Sequence, residues 1–357
     1  MKKNKITIAI LIVLTVISIF LICNNSSSTM KKENIDFAVE DTSNITRIFL
    51  ADKNGNKVVL KRLSQSDWIV NDKYNVSKDM IQIILRTISD LEIQMTIPKT
   101  ARKNVLKSIA STGVKVEIYQ MKHKINLFNK IKLFLTEQKV KTYYVGGPNQ
   151  NHLGTRMLLE GSTEPYSIVI AGFQGFLTPR YSTKENEWRD RRIFYTNNLS
   201  TIKSIKIEFP NEPEKSFIFE NDPKGAYIKN IKGEKINQDI DSSRFNRYLL
   251  SFYSVSFERF LDELSPNTRD SIIHLKPENI VSITTKDTTI VVKTIKKTSA
   301  SGEIDPITGM EIDMDRDRLY GLINNDKELT ICQYNEFDRI LRPINYFILN
   351  KSQSSKK

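Results

Sequence analysis

Side chains that do chemistry are scarce in this 357-residue chain. It has two cysteines, Cys23 and Cys332, and three histidines, His123, His152 and His274. Cys23 ends an apolar N-terminal run, so the body keeps one thiol and cannot close an internal disulfide. Its core must stabilise it unaided. Cys332 sits in Leu329-Thr330-Ile331-Cys332, which predicts a buried, inert thiol. No histidine pair has H-x-x-H or H-E-x-x-H spacing, and there is no G-x-S-x-G elbow and no P-loop. Gly146-Gly147-Pro148-Asn149 follows the strand-like Tyr143-Tyr144-Val145. No helix N-terminus follows it and Pro148 removes a backbone donor, so a hairpin connection is expected rather than a phosphate cradle.

Carboxylates occur in Glu185-Asn186-Glu187 and Asp262-Glu263. The spacing that makes a glycosidase pair is spatial and invisible at this level. Asp313, Asp315 and Asp317 alternate with Met314 and Arg316. A calcium loop of the EF-hand kind starting at Asp313 needs Gly and Glu where Arg318 and Asn324 stand. The expectation is therefore no catalytic residue, no cofactor and no metal.

What is present begins with Lys2, Lys3 and Lys5, followed by an uncharged run from Ile6 to Cys23. Eighteen residues at ~1.5 Å each reach ~27 Å, close to the ~30 Å hydrocarbon core. Leading lysines keep that end cytoplasmic and send the rest outward. The expectation is a single-pass inner-membrane anchor using Ile6, Ile10, Leu14, Ile17 and Leu21, with the body in the periplasm and membrane lipid as partner. A lipoprotein acylated at Cys23 is the alternative, although Ile22 stands where that signal wants a small residue. A cleaved signal would need small residues that Phe20-Leu21-Ile22-Cys23 does not supply.

Net charge is +13. A basic chain suggests nucleic acid first, and Arg180-Tyr181 and Arg192-Ile193-Phe194-Tyr195 could stack bases. An outward-facing body has little nucleic acid to bind, so a lysine-rich solvated surface is the preferred reading and no nucleic acid is expected.

The body alternates strand-like and helix-like segments in an order that recurs. Ile45-Thr46-Arg47-Ile48-Phe49-Leu50 opens one half and Ile202-Lys203-Ser204-Ile205-Lys206-Ile207 the other. Each is followed by two more strand-like segments, an amphipathic helix, a short helix and four strand-like segments. Asp241 and Ser242 are cap candidates for the helix of the second half. The expected fold class is α+β: an N-terminal transmembrane helix followed by two tandem α+β repeats with mostly antiparallel sheets. Boundaries are an anchor over 1–23, a linker over 24–42, repeats over 43–187 and 200–350 joined by a linker over 188–199, and a disordered tail over 351–357.

Each half carries one insertion. Residues 122–141 place Ile125, Phe128, Ile131 and Leu135 at helical spacing among lysines, predicting a basic amphipathic helix. Lys124, Phe128, Lys130, Ile131 and Lys132 are its candidate interface residues. The other insertion is 296–316, and its first part, Lys297-Thr298-Ser299-Ala300-Ser301-Gly302, is polar and reads as a mobile loop.

Ile45-Thr46-Arg47-Ile48, Trp68-Ile69-Val70, Tyr144-Val145-Gly146 and Trp188-Arg189-Asp190-Arg191 together resemble the DUF4340 family, a domain of unknown function, in the form found in Bacteroidetes. So do Leu319-Tyr320-Gly321-Leu322-Ile323, Gln333-Tyr334 and Phe337-Asp338-Arg339-Ile340-Leu341. The resemblance implies a membrane-anchored, extracytoplasmic protein without assigned activity, and a role beside an ABC-type transport or gliding-motility-like complex. The function expected is a binding or scaffold protein of the cell envelope. An enzyme acting on an envelope polymer and a peripheral lipid-binding module are the alternatives.

Overall fold

The computed structural model describes residues 11–16, 18, 36–127, 131–222, 225–236, 238–299 and 302–349. They form two units, Met1–Gln65 with Gln82–Thr183, and Ser66–Ile81 with Lys184–Lys357.

The expected architecture needs correction at its N-terminus. Among the described residues no helix is long and apolar enough to cross a membrane. The single-pass inner-membrane placement therefore has no spanning helix to rest on. Residues 11–16 are helical and Leu14 is exposed, while Ile6, Ile10, Ile17, Leu21 and Cys23 lie outside the described residues. The α+β expectation is corrected too, since antiparallel strands dominate the body and short helices decorate it. Nor are the units consecutive stretches of chain, because residues 66–81 join the second.

In the first unit β1 (Ile45–Ala51) and β2 (Lys57–Arg62) form a hairpin. The chain next makes β3 (Trp68–Val70) and β4 (Tyr74–Asn75), which belong to the second unit. It returns through the helix Lys78–Ser89, β5 (Leu91–Thr96) and the helix Lys99–Thr112. β6 (Val114–Leu127), β7 (Ile131–Pro148), β8 (Thr155–Leu159) and β9 (Pro165–Ile170) complete a sheet of order β2-β1-β6-β7-β8-β9-β5.

β1 shows how this sequence selects its register. Strict alternation would bury every second residue, but Ile45, Ile48 and Leu50 are the buried ones. A register shift against β6 between Ile45 and Arg47 absorbs the extra residue, as a β-bulge does. Phe37 is also buried, against Tyr143 and Tyr166 at ring distances of 6.1 and 6.0 Å. The described part of the expected 24–42 linker is thus built into this core. Tyr143 and Tyr181 are fully buried with their hydroxyls 3.1 Å apart, sharing one hydrogen bond in which one phenol donates and the other accepts. Burial raises both well above the ordinary phenol range.

The second unit continues with the short helix Glu185–Trp188, β10 (Arg192–Tyr195), β11 (Ile202–Glu208), β12 (Phe217–Asp222) and β13 (Gly225–Asn230). The helix Ser242–Leu250, β14 (Ser254–Ser256), β15 (Arg259–Phe260) and the helix Pro266–Ile273 follow. Asp241 caps Ser242–Leu250 by accepting from the Arg244 N–H at 2.9 Å. β16 (Asn279–Thr285), β17 (Thr289–Thr298), β18 (Met314–Ile323) and β19 (Glu328–Gln333) close a sheet of order β13-β12-β11-β16-β17-β18-β19-β15.

From β12 onward this order matches the first sheet strand for strand. β11 repeats the bulge as well: Ile202, Ile205 and Ile207 are buried, with the register shift between Ile202 and Ser204. The core is aromatic, with Phe217, Phe219, Phe245, Tyr248, Phe252 and Phe347 all buried. Residues 188–199, expected as a linker, are structural here. Trp188 is fully buried and β10 pairs with β14.

Candidate functional site

The sequence singled out carboxylates near 185 and near 262, and the fold of the second unit brings them together. They line a cavity of about 760 Å³ with Lys184, Asn186, Arg191, Glu258, Arg259, Phe260 and Met80. Arg189 stands behind its wall. The guanidinium lies 3.7 Å from the Tyr74 ring centroid and 4.1 Å from that of Phe260. It donates to Asn186 Oδ1 at 2.9 Å and pairs with Glu328 at 2.7 Å. This is a packed cation between two rings, and it fixes Asn186, which in turn donates to Asp262.

Four of the lining acids, Glu185, Glu258, Asp262 and Glu263, have a donor. Lys184 pairs with Glu263 at 2.9 Å, and Glu185 accepts from Asn71 at 2.6 Å. Glu258 accepts from Arg318 at 2.8 Å and Gln333 at 3.0 Å. The hydrogen bond from Lys184 holds Glu263 below the usual carboxylate range. Burial pulls Glu258 upward, but Arg318 and Gln333 outweigh it and hold it low. A general acid at neutral pH needs a carboxyl pushed the other way. The arrangement suits charge satisfaction better than proton transfer.

The other chemical candidates are dispersed. His123 is exposed on β6, His152 is exposed with its ring 5.9 Å from Phe176, and His274 ends its helix with Nδ1 2.8 Å from Asp270 O. Cys332 is buried, and desolvation pushes its thiol up to about 12. Gly146 lies in β7, where a Cβ would meet Ile109 Cγ1 at 2.8 Å and Arg156 O at 2.9 Å. Its role is close packing of helix on sheet. Asp315 accepts from Lys297 at 2.8 Å and from the Asp317 and Arg318 N–H groups at 2.9 Å each. Among the described residues no group of three potential metal ligands forms.

The clearest unsatisfied surface is one the sequence misassigned. Residues 122–141 were expected as a basic helix, but β6 and β7 run through them as a long hairpin. Cross-strand partners include Gln120–Gln138, Lys122–Thr136, His123–Leu135 and Ile125–Leu133. β1 accompanies β6 only as far as Gln120, and β8 joins β7 only from Tyr143. Beyond those points the hairpin is a two-stranded arm. Its base is clamped: Arg47 pairs with Glu137 at 2.6 Å and Thr46 donates to the same carboxylate at 2.7 Å.

Past Glu137 the arm exposes Leu133, Phe134 and Leu135, with Phe134 67% exposed and at φ +56°. A bulky residue rarely adopts that left-handed backbone. Lys122 and Lys124 are exposed and without an ion pair among the described residues. Of the candidate interface residues, Lys124, Ile131 and Lys132 lie in the arm's strands, and Phe128 and Lys130 lie outside the described residues.

The second unit has an arm of its own within the 296–316 insertion. β17 and β18 continue past Thr298–Met314 as a narrow ribbon, through Ser299 N–H to Asp313 O at 3.0 Å and Ile312 N–H to Glu303 O at 2.8 Å. Asp305 ties the tip by accepting from Ile307 and Thr308 N–H groups at 2.8 and 2.9 Å, and it pairs with Arg316. The tip holds Ile307 at 91% exposure and Met310 at 72%.

No protein-family model, curated protein or solved structure matches the chain.

Proposed function

We propose that this protein is a non-catalytic binding or scaffold component that engages other macromolecules through its hairpin arms. The observation that carries the reading is the first unit's arm, a ribbon with exposed Leu133, Phe134 and Leu135 held out on the Arg47–Glu137 clamp. A folded chain rarely leaves neighbouring large apolar side chains and two open strand edges uncovered unless something covers them. A clamped base also limits the ordering entropy that binding would cost.

The carboxylate-lined cavity supports the same reading, because Glu185, Glu258, Asp262 and Glu263 are engaged by partners and the resolved shifts of Glu258 and Glu263 run downward. The resemblance to the DUF4340 family is consistent with it, since that family carries no assigned catalytic residues. A photo-crosslinking side chain at position 134, compared with one in the exposed β1–β2 turn at Lys53, tests the proposal in cells. Discrete adducts at 134 and none at 53 are expected. Equal or absent labelling at the two positions would overturn it.

A further inference from the structure

We propose that the acidic arm of the second unit receives the basic arm of a second copy of this chain, so that copies associate head to tail. This rests on the reading of the arms as contact surfaces and names their partner.

The two arms are opposite in charge. Residues 121–136 contain Lys122, Lys124, Lys130 and Lys132 and no acid, whereas residues 298–314 contain Glu303, Asp305, Glu311 and Asp313 and no lysine or arginine. Asp305 is already committed to Arg316. Glu303, Glu311 and Asp313 have no ion pair among the described residues, and all three are exposed. Both arms also present apolar groups that their own units leave uncovered, Leu133, Phe134 and Leu135 on one and Ile304, Ile307 and Met310 on the other.

Both are ribbons past the ends of their sheets. The main-chain edges of each are open to strand addition, the commonest way an exposed edge is used. Lysines along an edge oppose pairing with an identical edge but favour an acidic one, which gives the contact its direction. The acidic tip is ordered before binding by the two N–H bonds to Asp305, so little freedom is lost on docking.

An anionic lipid surface would attract the basic arm and repel the acidic one. A second copy uses both. Because donor and acceptor surfaces differ, the contact is heterologous, and it closes into a ring or extends as a chain of copies.

Sedimentation velocity of the full-length protein at rising concentration tests this, at low and at high salt. The mass should rise above the 41.2 kDa monomer at low salt and return to it at high salt. Lys122→Glu with Lys124→Glu should weaken association at least about tenfold, as should Glu303→Lys with Glu311→Lys. An equimolar mixture of the two double variants should restore a one-to-one complex, because one retains the acidic arm and the other the basic arm.

Crosslinking from position 134 of the otherwise unaltered protein covers the case in which a charge-reversed variant fails to fold. The adduct should contain residues 302–314 of another copy. Monomeric protein at every concentration would overturn self-association. If position 134 then labelled phosphatidylglycerol vesicles or a different protein, the arm would keep its binding role with another partner. If it labelled nothing, both proposals would fall.

Discussion

Phe347 is the residue on which the second unit's core closes, and its truncation gives a sharp test of that packing. The side chain is fully buried. Its ring centroid lies 4.9 Å from Tyr248, 5.0 Å from Phe245, 5.2 Å from Tyr346 and 5.6 Å from Phe217. The backbone around it is pinned as well. Phe347 O accepts from Asp241 N–H at 2.9 Å, and Leu349 N–H donates to Asp239 O at 2.9 Å.

Phe347→Ala therefore leaves a cavity that the segment cannot easily collapse into. Core Phe→Ala replacements cost ~3–5 kcal/mol, and the pinned backbone places this one at ~4. Phe347→Leu keeps most of the volume and should cost under ~1.5 kcal/mol. Both tryptophans, Trp68 and Trp188, are buried and belong to this unit, so urea unfolding followed by intrinsic fluorescence reads it selectively. With a denaturant slope of ~2–3 kcal/mol/M, the Ala variant should shift the midpoint by ~1.3–2 M. A shift below ~0.4 M would mean that the C-terminal segment frays without cost. Equal shifts for Leu and Ala would mean that ring shape rather than filled volume holds the core. Either result would refute the reasoning.

Three further outcomes are expected. Gly321→Ala forces a Cβ to within 2.5 Å of Cys332 Sγ and 2.7 Å of Thr330 Oγ1, and should destabilise the second unit by ~1–3 kcal/mol in the same fluorescence assay. Cys332, buried and with its thiol pushed up to about 12, should resist iodoacetamide at pH 8 until denaturant is added, as read by peptide mapping. Backbone N–H groups of Thr308 and Ile307, with Arg316, hold the Asp305 carboxylate at about 2 against an ordinary 3.8. The bound proton is disfavoured in the folded tip, so this stabilisation is complete above the unfolded carboxylate range and is lost as pH falls from ~4 to ~2. Hydrogen exchange across residues 303–311, corrected for intrinsic rates, should lose protection in that window, and Asp305→Ala should abolish the pH step.

Local chemistry decided a good deal. The segments from Ile45 to Leu50 and from Ile202 to Ile207 read as half-buried strands because a pleated backbone turns alternate side chains to one face, although the bulge that puts Ile45 and Ile202 out of that alternation was not legible. The apolar run around Cys332 was enough to place that thiol indoors. Asp241 was legible as a cap, since its short carboxylate reaches a free N–H of the first turn.

The arm could not be read this way. Ile125, Phe128, Ile131 and Leu135 fit a helical stripe, yet the same β-branched and aromatic residues suit a strand, and a short segment satisfies both periods. The ladder from Val114–Val145 out to His123–Leu135 chose the strand, because extending an existing hairpin adds cross-strand bonds at each step. The carboxylate-lined cavity was hidden for a different reason. Asn186 and Asp262 are 76 residues apart, and nothing local records that a strand edge will carry one to the other. The opposite charges of the two arms were in the sequence throughout. Only the tertiary structure showed that each rides on a ribbon past the end of its sheet, where no third strand pairs with it among the described residues.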